Sequence, residues 1–366
     1  KNYTGTLPIT ITLNEGESYI VATNSSENTI NRDGLIGTLV QSDKPIVVNC
    51  GSANGSFHNG GGRDYGIDQI VDLSKVGSEY IFVRGDGDDG WENVLIVAHS
   101  DGTTIRVNGN TNLSASINAG EYYLIEGANY NSNGNLYVET SNAVFAYQGV
   151  GGSAGSEANQ GLFFVPPLSC ENKGKVDEIP NIQNIGNTVF TGGITVVTNK
   201  NSTVTINNQP ISNFNTIGPF DVDGNTGYVT YKVTGLNDNI SIESSGELYC
   251  AYFNFNGAAT SGSFYSGFPS APEINFNANI STLGNCIPNL TLTATNDSLF
   301  DDLEWFYDDG TGFVSTGNTT NQLTPNLPGN YKLMQISTTL QATVSNISRA
   351  HKGNQPKYLN YFINSR

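Results

Sequence analysis

A pattern of strands and turns that returns about every 100 residues constrains this chain more than any other feature. The run Leu13-Asn14-Glu15-Gly16-Glu17-Ser18-Tyr19-Ile20 is matched by Ile117-Asn118-Ala119-Gly120-Glu121-Tyr122-Tyr123-Leu124. SDKPIVVNCG, ending at Gly51, is matched by TSNAVFAYQG ending at Gly149 and by SSGELYCAYF ending at Phe253. LIVAHSDGTTIRVN from Leu95 is matched by ITVVTNKNSTVTIN from Ile194. Each copy reads as a strand, a turn, an alternating strand, a strand opened by Gly-Glu, and an apolar strand that enters a Gly/Ser/Ala loop. The first copy lacks its opening pair of strands, and Lys1 leads almost directly into strand-like sequence. We therefore expect further chain upstream of Lys1.

The residues inside the pattern are those of strands. Thr104 to Asn108 and Thr203 to Asn207 alternate polar and apolar, as half-buried strands do. Asp101-Gly102 and Asn108-Gly109 are tight-turn pairs, because Asn, Asp and Gly tolerate positive φ. The short runs Ile46-Val47-Val48 and Val144-Phe145-Ala146 suit strands buried on both faces. No stretch holds a helical period for three turns. Gly66 to Lys75 is allowed one or two turns at most. The expected fold class is all-β: three β-rich repeats, at about 1–76, 77–175 and 176–270, forming one large domain.

The pattern changes after Phe268-Pro269-Ser270-Ala271-Pro272, which reads as a linker. Residues 271–340 carry an alternating strand at Leu290 to Ala294, a Trp305 strand, and a late strand at Gly329 to Leu333. That order resembles an immunoglobulin-like β-sandwich module, although Cys286 has no cysteine partner in the late strand. Residues 341–366 lack acidic side chains and carry Arg349, Lys352, Lys357 and Arg366, so a basic, unstructured tail is expected.

Charge excludes some functions. The net charge is −17 and only 13% of residues are charged. No basic stripe could neutralise phosphates or anionic lipid, so neither nucleic acid nor direct membrane insertion is expected. No apolar run approaches the ~18 residues of a membrane span. Cys50, Cys170, Cys250 and Cys286 form no CxxC pair; they read as buried thiols or structural disulfides whose pairing stays open.

Three ordered stretches carry a family resemblance: Ser42 to Gly55, Gly62 to Gly85 (GRDYGIDQIVDLSKVGSEYIFVRG) and Glu92 to Gly109. With GEYYLIEG from Gly120, VETSNAVFAYQGVGG from Val138 and GLFFVPPL from Gly161, they resemble the N-terminal domain of IgG Fc-binding proteins, including its versions in secreted proteins of flavobacteria. The resemblance spans roughly residues 10 to 268. It implies a secreted, β-rich, non-enzymatic domain of large mucin-like or adhesin-like chains. It supplies no catalytic residues, and it does not imply that this chain binds antibody.

The chemistry-bearing stretch is Gly85 to Glu92, where Asp86, Asp88, Asp89 and Glu92 alternate with Gly87 and Gly90. Four carboxylates on a glycine loop suit a hard cation, and calcium is the ion they would take. The spacing is not that of an EF-hand, and the competing reading is a solvated acidic turn. Asp221-Val222-Asp223-Gly224-Asn225 is a weaker candidate of the same kind. Asp301, Asp302, Asp308 and Asp309 read as solubilising charges. Gly151 to Gly155 fits GxSxG, but the same glycine loop recurs after Gly51 and Asn256, so backbone geometry explains it better than a nucleophile. His58, near Arg63, Asp64 and Asp68, and His99, at a strand end, read as local hydrogen-bonding residues. Phe57, Tyr65, Tyr147, Phe253, Phe255 and Tyr265 lie near the glycine loops. They form a shared aromatic face if the copies surround a common axis, and core otherwise.

These readings converge on a non-enzymatic, extracellular or cell-surface module within a larger chain. It would bind a glycan, a glycoprotein or another surface protein through loops. A stalk or spacer of a surface filament is the alternative, and a carbohydrate-active enzyme with paired carboxylates is a third reading.

Overall fold

The computed structural model describes residues 8–23, 33–55, 64–151, 161–169, 174–257, 259–264, 274–278, 290–294, 302–308, 310–325, 327, 330–336 and 363–364. The chain is all-β, and it divides into two bodies, Lys1–Phe268 and Pro269–Arg366.

The larger body begins with a hairpin of β1 (Asn49–Gly55) and β2 (Asp64–Gln69). Then follow β3 (Gly77–Val83), β4 (Asn93–Ala98), β5 (Thr103–Val107), β6 (Ala115–Ile117), β7 (Tyr122–Ile125), the long β8 (Asn135–Val150) and β9 (Gly161–Phe164). The next copy comprises β10 (Lys175–Ile179), the two-residue strands β11 (Asn184–Ile185) and β12 (Thr188–Val189), β13 (Thr191–Asn199), β14 (Val204–Ile206) and β15 (Gln209–Pro210). It continues with β16 (Asn215–Val222), β17 (Asn225–Leu236), β18 (Ile240–Ser244), β19 (Leu248–Asn256) and β20 (Ala259–Phe264).

Strand order makes the repetition explicit. The first half of β8 lies between β3 and β5, with β6 beyond β5; its second half lies between β4 and β9, with β7 beyond β4. In the next copy β18 lies between β10 and β14, with β15 beyond; β19 lies between β13 and β20, with β17 and β16 beyond. The two copies therefore share one order, and the single strand β8 does the work of β18 and β19. Each encloses a core at the inward positions of these strands. Tyr80, Ile96, Ile105, Leu136 and Val144 fill the first; Ile194, Val196, Ile206, Ile242 and Leu248 fill the second. Ile81, Val83, Tyr137, Val197, Val222 and Tyr249 join the two copies in a third cluster.

The hairpin recurs in one register at three places: Asn49 opposite Gln69, Tyr147 opposite Phe164, and Ala251 opposite Phe264. The Gly-Glu turn also recurs. The Asn14 N–H donates to Glu17 at 2.8 Å and the Asn118 N–H to Glu121 at 2.7 Å, with Gly16 and Gly120 at φ 81° and 80°. The strand-like runs of the first copy differ from expectation. Ile9, Ile11, Leu13, Tyr19, Ile20, Val21, Ile46 and Val47 are exposed and lie in no strand among the described residues. A strand requires a neighbour for its N–H and C=O groups, and no counterpart of β4 or β5 accompanies them among the described residues. Within Gly66–Lys75 the only helical turn is the 3-10 turn Leu73–Lys75, capped by Asp72.

Cys250 is fully buried and its thiol is pushed up by burial, whereas Cys50 is exposed. Cys170 and Cys286 lie outside the described residues.

The smaller body has one sheet of β21 (Ile274–Ala278), β22 (Leu290–Ala294) and β25 (Gln322–Leu323). A second holds β23 (Asp302–Asp308), β24 (Val314–Ser315), β26 (Asn330–Ile336) and β27 (Ile363–Asn364). Trp305, at 0% exposure, sits in a core with Leu292, Leu323 and Leu333, and its indole N–H donates to the Thr320 carbonyl at 2.9 Å. The Tyr331 hydroxyl donates to the carbonyl of Leu327, four residues upstream, at 2.7 Å. The expected unstructured tail contributes β27, which pairs with Asn330 and Tyr331.

Candidate functional site

The acidic loop lies where the two complete copies meet. It leaves β3 at Val83, turns through Gly85–Gly90 and enters β4 at Asn93. Its four carboxylates go to different places. Glu92 is wholly buried. Its Oε2 accepts the Gly85 N–H at 2.9 Å, and its Oε1 accepts the N–H groups of Gly87 at 2.8 Å and Gly151 at 2.9 Å. Asp86 meets the Lys232 ammonium of β17 at 2.7 Å. Asp89 meets the Arg84 guanidinium at 2.7 Å, and Arg84 also donates to the Gly87 carbonyl. Asp88 is exposed, and its carbonyl accepts the Trp91 N–H.

In this arrangement the four carboxylates do not converge on one point. Calcium wants about six to eight oxygens converging on one point. Here one carboxylate is spent on backbone amides and two on cations of the same chain. Among the described residues no group of three His, Cys, Asp or Glu side chains is placed to hold a metal. The weaker candidate behaves alike: Asp221 pairs with Lys200 at 2.6 Å, and its carbonyl accepts from the side chain of Asn135. Its neighbour Gly224, at φ 86°, abuts Gly109, at φ 69°, so closely that a Cβ on either would strike the other's backbone. Both tight turns are thus parts of the junction between copies.

Electrostatics explains the clamp. Burial pushes the Glu92 carboxyl up to about 7, against the pull of three backbone N–H groups and of the Lys232 charge. Burial, together with the Glu92 charge, also raises the Tyr130 phenol. A carboxyl titrating near neutrality can serve as an acid or base, but Glu92 has no exposed surface through which to meet a substrate. It holds the acidic loop to Gly151, where β8 ends. Lys232 completes the junction. Its ammonium donates to the Gly85 carbonyl at 2.9 Å and lies 4.9 Å from the centre of the Phe253 ring.

Sequence reasoning missed Lys232. The signal was a lone cation in the alternating strand Tyr228 to Leu236, a position where an inward charge requires a partner. Beside it, Val83, Arg84, Phe220, Thr230 and Tyr231 help line a cleft of ≈ 150 Å³. That is below the roughly 300 Å³ at which small-molecule sites begin.

A second feature gathers residues from all copies. Phe163 and Phe164 of β9 point to opposite faces. Phe163 meets Phe264 of β20, with ring centres 5.7 Å apart, and Phe164 meets Tyr147 at the same separation. The Phe164 N–H donates to Asp68 of β2 at 2.6 Å. Gly262 packs near Val150 and Phe163, so β9 and β20 run in the same sense. Their hairpins therefore open at one end, at Val150/Gly161 and Asn256/Ala259. Of the aromatics near the glycine loops, Tyr147 and Phe253 are core and Phe255 is half-buried. Phe57, Tyr265 and the Tyr65 side chain lie outside the described residues, as do His58, Arg63, the Asp64 side chain and the GxSxG serine Ser153; His99 is exposed beyond β4. Asp302 is exposed and Asp308 accepts the N–H groups of Gly310 and Gly312, while Asp301 and Asp309 lie outside the described residues.

Two copies of one strand order, with different connections, make up an all-β body. Residues 1–253 match the family described as IgGFc binding protein, and the chain belongs to that family. A stretch of 36 residues is also 50% identical to a dTDP-4-dehydro-6-deoxy-alpha-D-glucopyranose 2,3-dehydratase of Saccharopolyspora spinosa. That likeness covers 10% of this chain and 7% of the other protein. No helix among the described residues is long and apolar enough to cross a membrane.

Proposed function

We propose that this chain is an extracellular binding module, part of a larger surface protein, that recognises a glycoprotein or its glycans. Membership of the IgGFc binding protein family supports the reading. The observation that carries it is the alignment of the β8–β9 and β19–β20 hairpins, whose connections leave the fold at one end beside each other. A rigid scaffold with neighbouring loop exits is how many β-sandwich proteins build a contact face. The buried clamp at Glu92 fixes the base of one exit, since Gly151 directly follows β8.

The test is an array of glycans and glycoproteins, immunoglobulin G Fc included, probed with the full chain. Saturable retention of one ligand class is expected. It should be lost when residues 152–160 are replaced by a Gly/Ser linker of equal length, with the thermal transition kept. A chain that retains nothing supports a spacer in a surface filament instead.

A further inference from the structure

We propose that the edge of β1 opposite β2, which has no strand partner among the described residues, is a strand acceptor. It takes one incoming extended partner segment with the pattern of β4 and β13, laid antiparallel along Ile46–Gly51.

The molecule itself shows what such an edge accepts. The β1–β2, β8–β9 and β19–β20 hairpins share one register, as described above. The match extends to single hydrogen bonds. The Val48 carbonyl accepts the Ile70 N–H at 2.8 Å, and the equivalent Ala146 carbonyl accepts the Val165 N–H at 2.9 Å. On the opposite edge β8 is covered by β4, with Tyr147 facing Leu95, and β19 by β13, with Ala251 facing Thr195. Among the described residues β1 pairs with β2 alone.

Burial follows the missing neighbour. Val144 and Leu248 are at 0% exposure, whereas Ile46 in the same place is at 51%. Phe145 is half-buried, whereas Val47 in its place is at 69%. Because Val48 turns its carbonyl toward β2, the alternate residues Val47, Asn49 and Gly51 turn their N–H and C=O groups to the open side. An edge of this kind is a template for another strand unless something blunts it. Pro45, which has no N–H to give, marks where pairing stops.

The occupant's chemistry can be read from its counterparts. Opposite Ala146 and Val144 stand Ile96 and Ala98; opposite Cys250 and Leu248 stand Val196 and Thr198. The incoming segment therefore carries small or β-branched side chains at alternate positions, which cover Ile46 and Val48.

The experiment uses the full chain and a fluorescent peptide of residues 191–200, TGGITVVTNK. Fluorescence anisotropy should show saturable binding, and Asn49→Pro should weaken it at least about tenfold by removing an open-side N–H. Val47→Pro, just outside β1, should act the same way and covers the case in which Asn49→Pro disturbs the hairpin. Hydrogen exchange at residues 47, 49 and 51 should slow when the peptide binds. Equal binding of a scrambled peptide, no binding, or indifference to both proline variants overturns the proposal. So does a chain that sediments as a dimer with these amides already protected, because the occupant is then a second copy.

Discussion

The second and third copies share one strand order and differ in their locks. Both hold a β3-type strand, an intervening loop and a β4-type strand. In the second copy the loop is fixed by an ionisable group: buried Glu92 gathers the N–H groups of Gly85, Gly87 and Gly151. In the third copy the corresponding connection runs through β11 and β12. There the neutral side chain of Asn254, four positions beyond Cys250 as Val150 is beyond Ala146, donates to the Ile182 carbonyl at 2.9 Å. The inward apolar residues of the paired strands fill a core in each copy. The connections differ, and one carries charges that the other lacks.

The largest expected effect separates the two locks. Glu92→Ala leaves three N–H groups without their acceptor, and a loss of roughly 3–5 kcal/mol is expected. Asn254→Ala removes one hydrogen bond, and about 1 kcal/mol is expected. Denaturant unfolding of both variants measures the difference. Equal losses would dissolve the distinction.

The locks should also differ in pH response. Burial holds the Glu92 carboxyl at about 7, above its unfolded value of 4.5. In the interval between these values the folded chain keeps a proton that the unfolded chain has released. The stabilisation is complete below pH 4.5, declines as pH rises, and is gone above about 7. Relative to Glu92→Gln, which cannot titrate, the native chain should lose about 3 kcal/mol across that window. Parallel stability profiles for the two proteins would contradict it.

Smaller effects grade the ion pairs at the junction. Lys232 is mostly buried and serves Gly85, Asp86 and Phe253, so Lys232→Met should cost about 1–2 kcal/mol. The Arg84–Asp89 pair has Asp89 at 58% exposure, and a double-mutant cycle there should give about 0.5 kcal/mol or less. A coupling larger at Arg84–Asp89 than at Lys232–Asp86 would reverse the ranking.

Much of this was legible in the sequence, because strand and turn residues repeat. The Gly-Glu turn, the hairpin register and the strand β5 with its counterpart β14 follow the sequence matches directly. One match fails by a residue. The sequence sets Leu95 against Ile194, but pairing places Ile96 opposite Ala146 and Val196 opposite the equivalent Cys250. The turn after β13 is one residue shorter than the turn after β4, since Ala98 precedes Ile105 by one residue more than Thr198 precedes Val204. A slip of one residue exchanges the faces of a strand, and only the cross-strand neighbour reveals it. The site was legible as a location and not as chemistry. Four carboxylates close in sequence share no direction in space, and the cation that answers Asp86 lies 146 residues away.

The smallest expected effect is that of chelation. A calcium loop loses its ligand-bridged structure when the ion is removed, and its melting temperature falls. In this loop the bridging is already done by the chain: Lys232 answers Asp86, Arg84 answers Asp89, and backbone N–H groups answer Glu92. For an ion to gather these carboxylates, two ion pairs would have to open and Glu92 would have to leave its buried site. Melting with EDTA and with added calcium should therefore agree within about 1 °C, below the roughly 2 °C that 1 kcal/mol produces in a domain of this size. A larger shift, abolished by Asp88→Ala and Asp89→Ala, would show that an ion competes successfully with Arg84 and Lys232 for the loop. The two copies would then differ in metal dependence as well as in charge.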